Sequence, residues 1–135
     1  MTAALHSIDA VLQAVRALGV PPAASWSTDT RALAAGDVFV AWPGAARDPR
    51  QFVPQALAAG AAAVLIEADG AQHFGFADAR ILAVHGLKAL AGPLAAEWHG
   101  HPSQTVQLLA VTGTNGKTSC ALWAAQALCA AGQRC

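Results

Sequence analysis

Apolar residues Ile8, Val11, Leu12, Val15 and Leu18 recur at helical spacing, with Ser7 placed to cap the helix and Gly19 to stop it. Pro21 and Pro22 break the chain, and a polar stretch over residues 25–31 follows. The run Val38, Phe39, Val40, Ala41, Trp42 is rich in β-formers and ends at Pro43-Gly44, which predicts a buried strand. Residues 52–59 read as a helix. Pro54 is tolerable there because it falls near the first turn, and Gly60 supplies the stop. Residues 63–66 and 81–84 are two further apolar strand runs. Leu87, Leu90, Leu94 and Trp98 mark one face of a helix that Gly92-Pro93 is expected to kink or interrupt. Residues 99–103 read as a linker, followed by a strand over 108–111, a glycine loop, and a helix from about Lys117 to Ala131.

Strands alternating with helices give the fold class as α/β with a largely parallel sheet. The linker near residue 101 separates a small α/β domain, residues 1–101, from a single β–loop–α unit, residues 102–135. A lone βα unit cannot bury both faces of its strand. The helix of that unit is apolar almost all round, as Cys120, Leu122, Trp123, Ala124 and Leu128 show, which suits the inside of a larger sheet domain. The chain is therefore expected to stop a few tens of residues into a truncated second domain.

Composition narrows the partners. Eight basic and eight acidic residues cancel, so no charge draws the chain to nucleic acid or anionic lipid. The N-terminus lacks the basic start and apolar run of a signal peptide. Gly, Pro and charges interrupt every alanine-rich stretch short of a membrane span. Cys120, Cys129 and Cys135 lack metal or disulfide spacing and read as incidental or buried thiols of a reducing cytosol. A cytoplasmic protein is expected. His99 and His101 are too few for a structural metal site and read as solvated linker residues. Trp26, Trp42, Trp98 and Trp123 read as core or boundary aromatics, with uracil stacking a lesser reading for Trp26.

The chemistry sits in the glycine loop. Phosphate binding needs inward amides, glycines that permit them, and the positive end of a helix. Strand, Gly113, Gly116, Lys117, Thr118 and helix come in that order. The amides of Gly113, Thr114, Asn115, Gly116, Lys117 and Thr118, with Ser119 next in line, are placed to cradle ATP phosphates. Lys117 would reach the β/γ oxygens and the Thr118 hydroxyl would sit on Mg²⁺. The generic pattern wants a glycine where Val111 stands, but its working end, Gly-Lys-Thr, is intact.

Thr112-Gly113-Thr114-Asn115-Gly116-Lys117-Thr118 resembles the ATP loop of the Mur ligases and of folylpolyglutamate synthase, whose form also lacks that first glycine. Ser27-Thr28-Asp29-Thr30-Arg31, Gly36-Asp37-Val38-Phe39-Val40-Ala41 and Asp48-x-Arg50-x-Phe52 resemble the uridine-nucleotide domain of the third and fourth ligases. Thr114-Asn115, Arg50 and Gly100-His101-Pro102-Ser103 favour the third.

The resemblance implies a small UDP-substrate-binding α/β domain followed by the first β–P-loop–α unit of a Mur ligase central domain. It implies ATP and Mg²⁺ as cofactors. The substrates would be UDP-N-acetylmuramoyl-L-alanyl-D-glutamate and a diamino acid, with meso-diaminopimelate favoured over lysine, joined through an acyl phosphate. A monomer is expected. Thr28 and Thr30 fall where the family contacts uridine. Ala45, Ala46 and Arg47 fall on the loop closing over the nucleotide. Pro49 replaces a usual glycine. Asp29 and Arg31 read equally well as a structural pair. The family's catalytic residues lie beyond Cys135, so the isolated chain is expected to have no ligase activity. The alternatives are a non-catalytic UDP-sugar-binding module, the fourth Mur ligase, or a folylpolyglutamate-synthase-like ligase.

Overall fold

Helix α1 (Ile8–Ala17) starts at Ser7, whose hydroxyl accepts the Ala10 amide at 3.3 Å. Asp9 in its first turn and Arg16 in its last complement the helix dipole. Gly19, at φ +75°, lets the chain reverse where the apolar spacing ends. Val11, Leu12 and Val15 are buried, and they form the stripe read from the sequence.

The computed structural model describes residues 4–134. Its leading unit is built on four parallel strands, β1 (Trp26–Ser27), β2 (Val38–Ala41), β3 (Ala63–Glu67) and β4 (Ile81–Val84), in spatial order 1-2-3-4. The register pairs Trp26 with Val38, Val38 with Ala63, and Val64 with Ile81. Leu5 adds an isolated parallel bridge to Val84.

Both sheet faces are covered, so β2 and β3 are buried at every position, and apolar at all but Glu67, instead of alternating. Val38, Val40, Ala63 and Leu65 point into a core shared with α1 and with α3 (Leu87–Trp98). Phe39, Ala41, Val64 and Ile66 point the other way, into a core closed by Val53 and Ala56 of α2 (Val53–Ala58). Fully buried Phe39, Leu65, Leu87 and Leu94 each contribute roughly 2–3 kcal/mol by leaving water.

Helix α3 runs unbroken through Gly92-Pro93, against the interruption expected there. Pro93 lies on the exposed face, as does Ala89, whose carbonyl loses its donor, so water can serve that carbonyl. The N-terminus of α3 has no side-chain cap of its own. Glu67, at the end of β3, supplies one: its Oε1 accepts the Gly86 amide at 3.1 Å and its Oε2 the Leu87 amide at 2.9 Å. The carboxylate also accepts the Ala68 amide. A charge buried to 9% exposure is thus fully engaged by backbone donors.

The chain divides after Pro102, and residues from Ser103 onward form a second unit. Its helix α4 (Lys117–Ala130) matches the expected helix. The strand expected over residues 108–111 is not formed. A strand exists only by pairing with a neighbour, and no described residue pairs there. For the same reason Leu108, Leu122, Trp123 and Leu128 are exposed, so Trp123 is neither core nor boundary as expected. Cys120 and Cys129 are free and exposed, while Cys135 lies outside the described residues. No helix among the described residues is long and apolar enough to cross a membrane.

Candidate nucleotide-binding loops

The glycine loop turns into α4 at Gly116, whose φ of +78° is the left-handed conformation a side chain resists; Gly113 is also positive, at +142°. Among the described residues, no protein acceptor takes the amides of Gly113, Thr114, Asn115, Gly116, Lys117, Thr118 or Ser119. The first-turn amides Lys117, Thr118 and Ser119 have no intrahelical partner by construction, and the helix dipole adds positive potential there. The loop therefore offers an anion a row of unspent donors. Lys117 folds back on this loop, its Nζ donating to the Gly113 carbonyl at 2.6 Å and the Thr114 carbonyl at 3.4 Å. The Thr118 side chain is exposed. ATP phosphates and a Thr118-bound Mg²⁺ fit this donor set in kind: amides and an ammonium for phosphate oxygens, a hydroxyl for a hard cation.

Parallel strands send their following loops to the same end of the sheet. The loop after β1 carries Thr28 and Thr30. The loop after neighbouring β2 carries Ala45, Ala46 and Arg47. All but Thr30 are exposed, and Thr30 is half-buried. The second loop is a tight turn, with the Gly44 amide donating to the Arg47 carbonyl at 2.9 Å. Ala45 and Ala46 have only backbone groups to offer a ligand. Among the described residues the Thr28 and Thr30 hydroxyls have no hydrogen-bond partner.

The structural reading of Asp29 and Arg31 fits the geometry. Asp29 Oδ1 accepts the Arg31 amide at 2.9 Å, and Oδ2 accepts Arg31 Nη2 at 2.7 Å. The guanidinium hydrogen bond holds the Asp29 pKa at about 2. Asp48-x-Arg50 and Asp78-x-Arg80 repeat this clasp. Pro49 suits the first of these, opening a 3₁₀ turn over Pro49–Phe52 capped by Asp48.

The Asp78 clasp, whose arginine also reaches the Ala61 carbonyl at 3.2 Å, makes a pH prediction. Bonding to the Arg80 side chain holds the Asp78 carboxyl at about 2. Its folded pKa is depressed, so the contribution to stability is complete above the ordinary carboxylate range. It is lost as pH falls toward 2. Carboxyl-carbon NMR of Asp78 should give a midpoint near 2; a midpoint near 4 would mean the clasp is open in solution.

Sequence reasoning missed the part played by Arg50. Its side chain is 6% exposed, bound to Asp48 and to the carbonyls of Glu67 and Asp69, with its guanidinium 5.1 Å from the Phe74 ring centroid. Only the Asp-x-Arg spacing hinted at it. Glu67, Asp69 and His85 bring possible metal-ligand atoms within 4.8 Å of one another. Glu67 is already taken by three amides, and Asp69 pairs with His85 at 3.1 Å, so local bonding accounts for the group. Trp26 packs on Trp98 at 5.7 Å between centroids, on the α1–α3 face, which removes it as a stacking platform for uracil. His101 is half-exposed and pairs with Glu97 at 2.7 Å.

No protein-family model matches the chain. Three relatives are each named as a UDP-N-acetylmuramoyl-L-alanyl-D-glutamate–2,6-diaminopimelate ligase. The protein of Acidovorax sp. is 50% identical over 93% of this chain and 25% of its own length. That of Ralstonia nicotianae is 52% identical over 86% and 24%, and that of Pseudomonas aeruginosa 47% identical over 79% and 22%. The chain thus spans about a quarter of the length of these relatives. Among solved structures, the MurF ligase of Thermotoga maritima in complex with ADP aligns with a TM-score of 0.53 at 28% identity, covering 73% of this chain and 21% of that one.

Proposed function

We propose, from the premise that this chain belongs to the Mur ligase family, that it is the nucleotide-handling part of an ATP-dependent ligase of peptidoglycan synthesis. That ligase joins 2,6-diaminopimelate to UDP-N-acetylmuramoyl-L-alanyl-D-glutamate in the cytoplasm. The diaminopimelate-adding member is favoured over MurF because sequence identity to the former reaches 52% and to the latter 28%.

In this reading the two units divide the work. The leading unit holds the uridine nucleotide between the loops after β1 and β2, through the Thr28 and Thr30 hydroxyls, the backbone at Ala45 and Ala46, and Arg47. The second unit holds ATP on the amides of residues 113–119, with Lys117 on the β/γ phosphates and Thr118 toward Mg²⁺. A carboxylate is a poor electrophile until one of its oxygens becomes a leaving group, so ATP phosphorylates it first and the amine then displaces phosphate. Phosphoryl transfer is helped by fixed cations and dipoles around the moving group. Lys117 and the α4 N-terminus supply the share of these that this chain carries.

The observation that carries the proposal is the row of amides from Gly113 to Ser119 left without protein acceptors at a left-handed glycine turn. A chimaera tests it: this chain replaces the matching quarter of the Acidovorax relative, and diaminopimelate ligation is measured. Ligation above the level of the relative lacking that quarter is expected. A soluble, folded chimaera that binds the UDP substrate but never ligates would favour a non-catalytic UDP-sugar-binding module instead.

A further inference from the structure

The stretch over residues 25–34 runs through β1 and the loop that follows it, and besides the β1–β2 pairing a single side chain outside it bonds both its ends. Asp37 Oδ1 accepts the Ser25 amide at 3.0 Å, and Oδ2 accepts the Ala34 amide at 2.9 Å. The carboxylate is itself anchored. Its residue precedes β2, its carbonyl accepts the Ala62 amide at 2.9 Å, and its own amide donates to the Ala34 carbonyl at 3.2 Å. Within the loop, the Ser27 hydroxyl bonds both the amide and the carbonyl of Asp29, and the Asp29–Arg31 pair stiffens the tip. Ser25, at the foot of the loop, has its amide held by Asp37, and beyond it the loop hydroxyls without a protein partner, among the described residues, are those of Thr28 and Thr30.

We infer that Asp37 is a positioning residue for the uridine-nucleotide subsite: its carboxylate clasps the base of the 25–34 loop and so presents Thr28 and Thr30 in a fixed pose. This rests on the proposed uridine role of those two threonines. A flexible loop must be ordered when ligand binds, and that cost falls on affinity; a loop ordered beforehand avoids it. Asp37 is suited to this because one carboxylate has two oxygens, one for each end of the loop, and charge-assisted bonds to amides are the stronger kind. An asparagine keeps only one acceptor oxygen, so it can hold one end and not both.

The test uses the 135-residue chain and UDP-N-acetylmuramoyl-L-alanyl-D-glutamate in isothermal titration, with NMR amide exchange alongside. Asp37→Asn should weaken binding about tenfold and speed exchange at Ser25 and Ala34, while Val64 and Leu65 in β3 stay protected. Asp37→Glu, which keeps both oxygens, should recover at least part of the loss. Unchanged affinity in a folded Asp37→Asn chain overturns the positioning role, as does weakened binding with Ser25 and Ala34 still protected. Should Asp37→Asn fail to fold, Asp37→Glu decides alone: faster exchange at Ser25 and Ala34 must come with weaker binding, and slow exchange with wild-type binding. Failure of the underlying reading looks different. There the unaltered chain does not bind, or Thr28→Ala and Thr30→Ala bind as tightly as it does.

Discussion

Replacing Arg50 by alanine is expected to destabilise the leading unit by about 3 kcal/mol, since removing a buried charge strips its fixed partners of their side-chain donors. The guanidinium binds the Asp48 carboxylate and two backbone carbonyls at the end of β3, Glu67 and Asp69, and lies over Phe74. Truncation leaves two carbonyls without their side-chain donor and the Asp48 carboxylate with the Arg50 backbone amide alone, beside a void against the ring. Lysine should not rescue it, because one ammonium cannot reproduce a planar fork that spans three acceptors. Urea denaturation followed by circular dichroism measures the loss. A change below 1 kcal/mol for Arg50→Ala would show that water replaces the side chain at little cost. Glu67 amplifies the effect, because the same residue whose carbonyl Arg50 holds also caps α3 with its carboxylate.

The largest expected effect on activity is at Lys117. In the chimaera, Lys117→Ala should lower kcat/KM for ligation by roughly a thousandfold, the scale on which one well-placed cationic or hydrogen-bonding group stabilises a charged transition state. The KM for the UDP substrate should stay unchanged, since that ligand is assigned to the other unit. The ammonium must leave the Gly113 carbonyl to meet phosphate. That exchange is favourable, because an exposed bond to a neutral acceptor is worth about 1 kcal/mol and a multiply charged phosphate offers more. Steady-state kinetics with saturating diaminopimelate is the measurement. A Lys117→Ala chimaera within tenfold of its parent would remove this loop from the reaction.

Much of the leading unit was legible because its signals are local. Ser7 and Gly19 bracket α1 as read, and the apolar runs in β2, β3 and β4 are strands because both faces of their sheet are covered. What escaped depends on partners distant in the chain. Strand β1 is two residues in a polar stretch, and it is a strand only because Trp26 and Ser27 lie beside Val38 and Phe39. The engagement of Arg50 with residues 67 and 69, and of Glu67 with residues 86 and 87, has no periodicity to betray it. The opposite failure befell residues 108–111, which have strand composition and, among the described residues, no strand beside them. For the candidate site, the glycine spacing marked the loop proposed to hold phosphate, and helix α4 begins where that spacing requires. The resting pose of Lys117 and the clasp of Asp37 could not be read, since each is a hydrogen bond to backbone, and backbone positions leave no mark on residue identity.

The spatial order of the four strands matches their order in the chain. Each new strand therefore finds its place beside the one made just before it, and no strand waits for a later one to fill a gap. Contacts between consecutive segments form with short loop closures, which favours rapid assembly. A ribosome releasing this chain from its N-terminus would let the sheet grow outward one strand at a time, with α3 arriving last to cover the face that α1 began to close.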